Sequence, residues 1–157
     1  MSKLIKKVVK NLIKKKIKIS IAESCTGGSL SSAITSIEGS SKIFNFGIVS
    51  YSNQSKVKII KIPIKIIKKY GAVSSQVCLA MLKNTYKISN TNMAVSITGI
   101  AGPSGGSIKK PVGLVFIGIK KKNKIIIKKY IFKNRGRSYI QKAAVNKSLR
   151  LILLFIK

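Results

Sequence analysis

Ile19-Ser20-Ile21-Ala22-Glu23-Ser24-Cys25-Thr26-Gly27-Gly28 is the stretch whose reading decides the fold. A β-branched apolar run ends in small polar residues and two glycines. Leu30, Ala33, Ile34 and Ile37 then follow at helical steps. This is a strand–loop–helix junction. Its glycines let the backbone approach a ligand, and the helix start offers unpaired N–H groups to an anion.

The pattern continues in both directions. Upstream, residues 2–16 place Leu4, Ile5, Val8, Val9, Leu12 and Ile13 on one face of a lysine-coated amphipathic helix. Residues 17–22 form the first strand. The second helix ends at Gly39, Gly39-Ser40-Ser41 reads as a cap, and residues 43–46 read as a brief turn before a second strand at 47–51. Ser52 or Asn53 caps the next helix, with Lys56 in or just after its first turn. Pro63 starts another helix, broken at Gly71, and Ser74 caps a longer one. Residues 91–98 form a third strand that runs into a glycine-rich loop. Residues 111–119 and 124–132 pair as a hairpin, and 138–155 form a final helix. Strands that alternate with helices until a late hairpin predict an α/β fold in one domain, residues 1–157. Its form is a three-layer α/β/α sandwich with a mixed, mostly parallel five-stranded sheet.

Composition narrows the chemistry. The 157 residues contain 32 Lys+Arg against 2 Asp+Glu, a formal net charge of +30, and no histidine. A Ser-His-Asp triad and imidazole metal sites are therefore excluded. Carboxylate cages for Mg²⁺ or Ca²⁺ are excluded as well, since Glu23 and Glu38 are the only side-chain acids. Cys25 and Cys78 are too few for a zinc site or a disulfide framework, and read as buried thiols in a reducing compartment. If the chain is an enzyme, its base is a lysine, a tyrosine or a water. The lysines are spread over every element, which favours compositional drift over a dedicated polyanion-binding stripe. Nucleic acid is thus expected to bind only non-specifically. No apolar run reaches the ~18 residues of a membrane span. No secretory segment is evident, so the expected location is cytoplasmic, away from membrane.

Three loops each follow the C-terminal end of a strand expected to lie parallel in the sheet: residues 23–28, 51–56 and 98–106. In open α/β sheets the ligand crevice lies at that edge. Two junctions there, Ala22-Glu23-Ser24-Cys25-Thr26-Gly27-Gly28 and Ser96-Ile97-Thr98-Gly99-Ile100-Ala101-Gly102-Pro103, frame a longer set of motifs. Between them stand Gly39-Ser40-Ser41, Tyr51-Ser52-Asn53 with Lys56, and Gly71-Ala72-Val73-Ser74. Gly105-Gly106 and Lys110-Pro111-Val112-Gly113 follow. In this order and spacing they resemble the CinA C-terminal domain family, the stand-alone nicotinamide-nucleotide amidases. The likeness covers almost the whole chain, without the molybdopterin-binding-like domain that precedes it in longer CinA proteins.

The resemblance implies hydrolysis of the carboxamide of nicotinamide mononucleotide to nicotinate mononucleotide and ammonia. It implies no metal or other cofactor, a role in pyridine-nucleotide recycling, and a homo-oligomer. It also implies a serine–lysine mechanism, in agreement with what composition leaves available. Lys56 is the expected base and Ser41 the favoured nucleophile. Ser24 is the rival, because a serine at a strand–turn–helix junction is presented much as in a nucleophile elbow. Tyr51 is a proton relay or an orienting hydroxyl. Thr26, Gly27, Gly28, Thr98, Gly99, Ala101 and Gly102 are candidates to hold the amide or the phosphate. The family pattern Phe-x-Gly-Asp-Arg becomes Phe132-Lys133-Asn134-Arg135-Gly136-Arg137 here, one residue longer and without the Asp. Counted back from Ile140, Arg137 takes the arginine position as a phosphate clamp, and Arg135 is its substitute. Two other readings compete with the amidase: a basic nucleic-acid-associated protein, or a nucleotide-binding protein, that kept the fold without the chemistry.

Overall fold

The structure, a computed structural model, describes residues 1–156. Helix α1 (Ser2–Lys14) buries Ile5, Val8, Val9 and Leu12 and leaves its lysines in solvent. Strand β1 (Ile19–Glu23) is buried along its whole length. Then come α2 (Ser29–Thr35), a 3₁₀ turn (Ser40–Lys42), β2 (Phe44–Val49), α3 (Asn53–Lys58), α4 (Ile64–Tyr70) and α5 (Ser75–Ser89). Strand β3 (Met93–Gly99), the hairpin β4 (Leu114–Lys121) and β5 (Lys124–Ile131), and α6 (Arg137–Ile156) complete the chain.

The sheet has the order β2-β1-β3-β4-β5. β1 pairs in parallel with β2 and β3, while β4 runs antiparallel to both β3 and β5. Four strands therefore point one way and β4 alone points the other. Successive side chains alternate between faces. Ile19, Ile21, Met93, Val95 and Ile97 join the core with α1, α2 and α6. On the other face Ala22 packs with Ile60, Ile62, Ile67, Val77 and Met81, from α4, α5 and the α3–α4 loop. That second face is built from small residues where α5 crosses. Ser96 Oγ donates to the Cys78 carbonyl at 2.8 Å, and a Cβ on Gly118 would sit 2.7 Å from Ser96 Oγ.

One boundary differs from expectation. Residues 43–46 do not form a turn, since β2 begins at Phe44 and runs with an alternating half-buried and exposed pattern. The alternation Phe44-Asn45-Phe46-Gly47-Ile48-Val49 is a strand signal. The preceding glycine and serines mask it by looking like a longer loop. α1 also stops at Lys14, because Lys16 takes a left-handed conformation.

β1 is the topological switch point. The chain leaves it for β2 through α2 on one face and returns from β2 to β3 through α3, α4 and α5 on the other. The C-terminal end of β1 therefore opens between two diverging connections, where open α/β sheets bind ligands. Gly113 supports one wall of this opening, the loop after β3, by donating its N–H to the Ile100 carbonyl at 2.8 Å, and has a φ of 97°. A Cβ there would meet the Phe132 carbonyl oxygen at 2.1 Å. Gly113→Ala is expected to destabilise the domain by about 2–3 kcal/mol, through a left-handed backbone and an unrelieved backbone clash. Denaturant unfolding measures this, and an unchanged midpoint would show that the wall relaxes freely.

Candidate active site

A cleft of about 270 Å³ opens at the end of β1. It is lined by Ser24 and Cys25 after β1, Tyr51 and Lys56 after β2, and Ala72 and Val73 before α5. Residues of the loop after β3 and Arg137 at the start of α6 complete it.

Lys56 is the centre of the cluster. Ser52 caps α3 by accepting from the Ser55 N–H at 3.0 Å, and this places Lys56 one turn in, with its side chain turned under the loop. The side chain is only 1% exposed. Its Nζ lies 3.0 Å from Ser24 Oγ, 2.7 Å from the Ser50 carbonyl and 3.1 Å from the Tyr51 carbonyl. As an ammonium it donates to all three. As a neutral amine it has two hydrogens for the two carbonyls, and its lone pair is left to accept from the Ser24 hydroxyl. Burial lowers the Lys56 pKa from its ordinary range to about 8, with the nearby Cys25 thiol acting weakly the other way. A substantial neutral fraction therefore exists at physiological pH, and the neutral form is oriented as a base toward Ser24.

Ser24 is itself held in place. Its N–H donates to the Ile97 carbonyl at 3.0 Å, and its carbonyl accepts from the Gly27 N–H at 3.0 Å. A tight turn thus carries the chain away from β1, with Ser24 at its start. Gln141 of α6 donates to the Cys25 carbonyl at 2.9 Å and anchors this turn from the opposite face. Cys25 lines the cleft too, but burial pushes its thiol up to about 12. It stays protonated near neutral pH and is a poor nucleophile.

Arg137 closes the far side. Nη2 donates to Tyr51 Oη at 2.7 Å and Nη1 donates to the Gly102 carbonyl at 3.1 Å. A guanidinium has five N–H donors, so others remain for an anion. Thr98 Oγ1 donates to the Ala72 carbonyl at 2.9 Å and ties the loop before α5 to β3. Thr98, Gly99, Ala101 and Gly102 line the cleft.

Other expected positions lie elsewhere. Ser41 is exposed in the 3₁₀ turn, makes no hydrogen bond to Lys56 and does not line the cleft. Thr26, Gly27 and Gly28 form the turn that starts α2 but stay out of the lining, with Thr26 buried at 1%. Arg135 is exposed and lies over the Tyr139 ring at 5.5 Å instead. The Tyr51 hydroxyl pairs with Arg137 at the mouth rather than with the Ser24–Lys56 pair. Ala72 and Val73 are cleft residues that the sequence flags only as part of a Gly-Ala-Val-Ser run. The role of Gln141 leaves no sequence signal, because it acts through a backbone carbonyl distant in the chain.

Fold and site together define an α/β protein with a buried serine–lysine pair at the switch point of its sheet. Residues 1–156 match the model of the CinA C-terminal domain, and the chain belongs to that family. It is 49% identical over 152 residues to a CinA-like protein of Prochlorococcus marinus, covering 94% of this chain and 35% of that protein. It is 40% identical over 149 residues to a competence-damage inducible protein of Thermoanaerobacter pseudethanolicus, covering 95% and 36%. The chain thus spans about a third of the length of these curated relatives. The crystal structure of the competence/damage inducible protein CihA from Agrobacterium tumefaciens superposes with a TM-score of 0.96 at 34% identity, covering 99% of this chain and 95% of that one.

Proposed function

We propose that this domain is a nicotinamide-nucleotide amidase that uses Ser24 as nucleophile and Lys56 as its base. The observation that carries the reading is the 3.0 Å hydrogen bond between Lys56 Nζ and Ser24 Oγ in a buried site. A lysine with a lowered pKa beside a serine at a strand–turn–helix junction is the arrangement that activates a hydroxyl without histidine. The same hydrogen bond makes Ser24, rather than Ser41, the nucleophile of this proposal.

In this mechanism Lys56 Nζ takes the Ser24 proton as Oγ attacks the carboxamide carbon. Negative charge develops on the carboxamide oxygen. Ala101 and Gly102, whose N–H groups donate to no other group among the described residues, line the cleft and would receive that charge. When the C–N bond breaks, the Lys56 ammonium gives its proton to the leaving nitrogen and ammonia departs. A water then attacks the seryl ester and gives its proton to Lys56. Cleavage of the C–Oγ bond returns that proton to Ser24, and the carboxylic acid so formed loses its own proton to solvent and leaves as the carboxylate. Arg137 holds the nucleotide phosphate through its uncommitted donors, with Tyr51 and Gly102 fixing the guanidinium plane.

Among the described residues no group of three His, Cys, Asp or Glu side chains comes together. The expected result is that chelator-treated protein releases ammonia from nicotinamide mononucleotide at the same rate before and after EDTA. A rate that returns only on addition of Zn²⁺ or Mg²⁺ would rule this mechanism out.

A further inference from the structure

Among the described residues, Lys56 is a buried cation site without an acidic partner. Of the two side-chain carboxylates, Glu23 is fully buried but faces α2. Its oxygens accept from the Leu30 N–H at 3.1 Å, the Ser31 N–H at 2.8 Å and the Ser31 hydroxyl at 2.7 Å. Glu38 is exposed beyond the end of α2. The groups that face Lys56 are the Ser24 hydroxyl, two neutral carbonyls, the protonated Cys25 thiol and, across the cleft, the Arg137 guanidinium. The lining segments before α5 and after β3 contribute nothing ionisable. A buried charge with no counter-charge is costly, and an amide substrate brings none near Nζ. Its hydrolysis product does. The reacting carbon is bonded to Ser24 Oγ during turnover, and Oγ lies 3.0 Å from Nζ. The new carboxylate thus forms within the ~4–6 Å over which an opposite charge favours an ammonium.

We infer that the cleft binds its carboxylate product more tightly than its amide substrate, with the Lys56 ammonium as counter-ion. The enzyme is then restrained by its product and by any nucleotide with an aromatic carboxylate in the same place. This inference rests on the amidase reading for the identity of the ligand. Product and proton bind together, and by linkage each strengthens the other. The free amine titrates near 8, so above that pH product binding draws a proton onto Lys56. Well below it the amine already carries one. Product affinity relative to substrate therefore falls as pH rises. The phosphate, common to both nucleotides, cancels in the comparison. A product-bound enzyme is doubly inactive, with the cleft filled and the base protonated.

Ser24→Ala protein cannot turn the amide over, so both nucleotides can be titrated into it by calorimetry at pH 6.5, 8.5 and 9.5. Each titration is run in two buffers of different ionisation enthalpy. The expected result is nicotinate mononucleotide bound about tenfold or more tighter than nicotinamide mononucleotide at pH 6.5, an opposite-charge effect of about one pKa unit. That ratio should shrink about tenfold by pH 9.5, with proton uptake on product binding at pH 8.5 and none at 6.5. Lys56→Met should erase both the preference and the uptake. If it does not fold, the pH dependence of the Ser24→Ala protein decides by itself. Equal affinities at pH 6.5, a ratio independent of pH, or a Lys56→Met protein that keeps the preference would each overturn the inference and leave the amidase standing. Failure of either nucleotide to bind at any pH would overturn the amidase reading as well.

Discussion

Ser24→Ala is expected to abolish turnover of nicotinamide mononucleotide, with kcat lowered on the order of 10⁴-fold or more while the nucleotide still binds. Removing a nucleophile that acts in concert with its base removes nearly all the chemistry that either supplies, which is why the expected loss is so large. Ser41→Ala should stay within about twofold of the unaltered protein, since Ser41 is exposed in the 3₁₀ turn and does not line the cleft. Measured side by side, the two variants separate the candidates cleanly. If Ser41→Ala is dead and Ser24→Ala turns over, the nucleophile is Ser41 and a rearrangement of the 3₁₀ turn must carry it to Lys56.

The second large effect belongs to the base. Lys56→Ala should lower kcat by ~10²–10⁴, the range for loss of general-base catalysis. Lys56→Arg should not restore it, because a guanidinium does not deprotonate near neutral pH and cannot take the Ser24 proton. In the unaltered protein the working form is the neutral amine, whose fraction rises with pH. The kcat/KM profile should therefore climb about tenfold per pH unit on the acid side and level off above about 8, following the lowered pKa of Lys56. A flat profile from pH 6 to 9, or an active Lys56→Arg variant, would make Lys56 an electrostatic group rather than a base.

Much of this architecture is legible in the chain. Apolar residues at three- and four-residue steps locate α1, and the Ser52 and Ser74 caps, Pro63 and Gly71 locate the starts and stops of α3, α4 and α5. These signals are local, since a cap or a glycine acts on the backbone within a turn of itself. β2 carries a weaker local signal. Its Phe44–Phe46 half follows a glycine and two serines, and only pairing with β1 makes the extended reading hold. The family motifs mark all three loops of the cleft, yet they also mark Ser41 and Thr26, which do not line it.

From the sequence alone came the fold class, the loops at the switch point and the restriction of the chemistry to serine, lysine and tyrosine. Periodicity, capping residues and the absence of histidine are properties of the chain itself and survive any packing. Which serine meets the lysine is not such a property. Ser24 and Ser41 both precede Lys56 in motifs of the same family, and neither spacing says which hydroxyl arrives within 3 Å. The parallel pairing of β1 with β2 decides it. Ala22 and Glu23 are set against Ile48 and Val49, so Ser24 emerges beside Ser50 and Tyr51. The carbonyls of those two residues hold Nζ. Tertiary structure also decided that Lys56, among the described basic residues, is the one buried at 1% exposure without a carboxylate. Desolvation there lowers its pKa, and no local pattern of residues could have shown it.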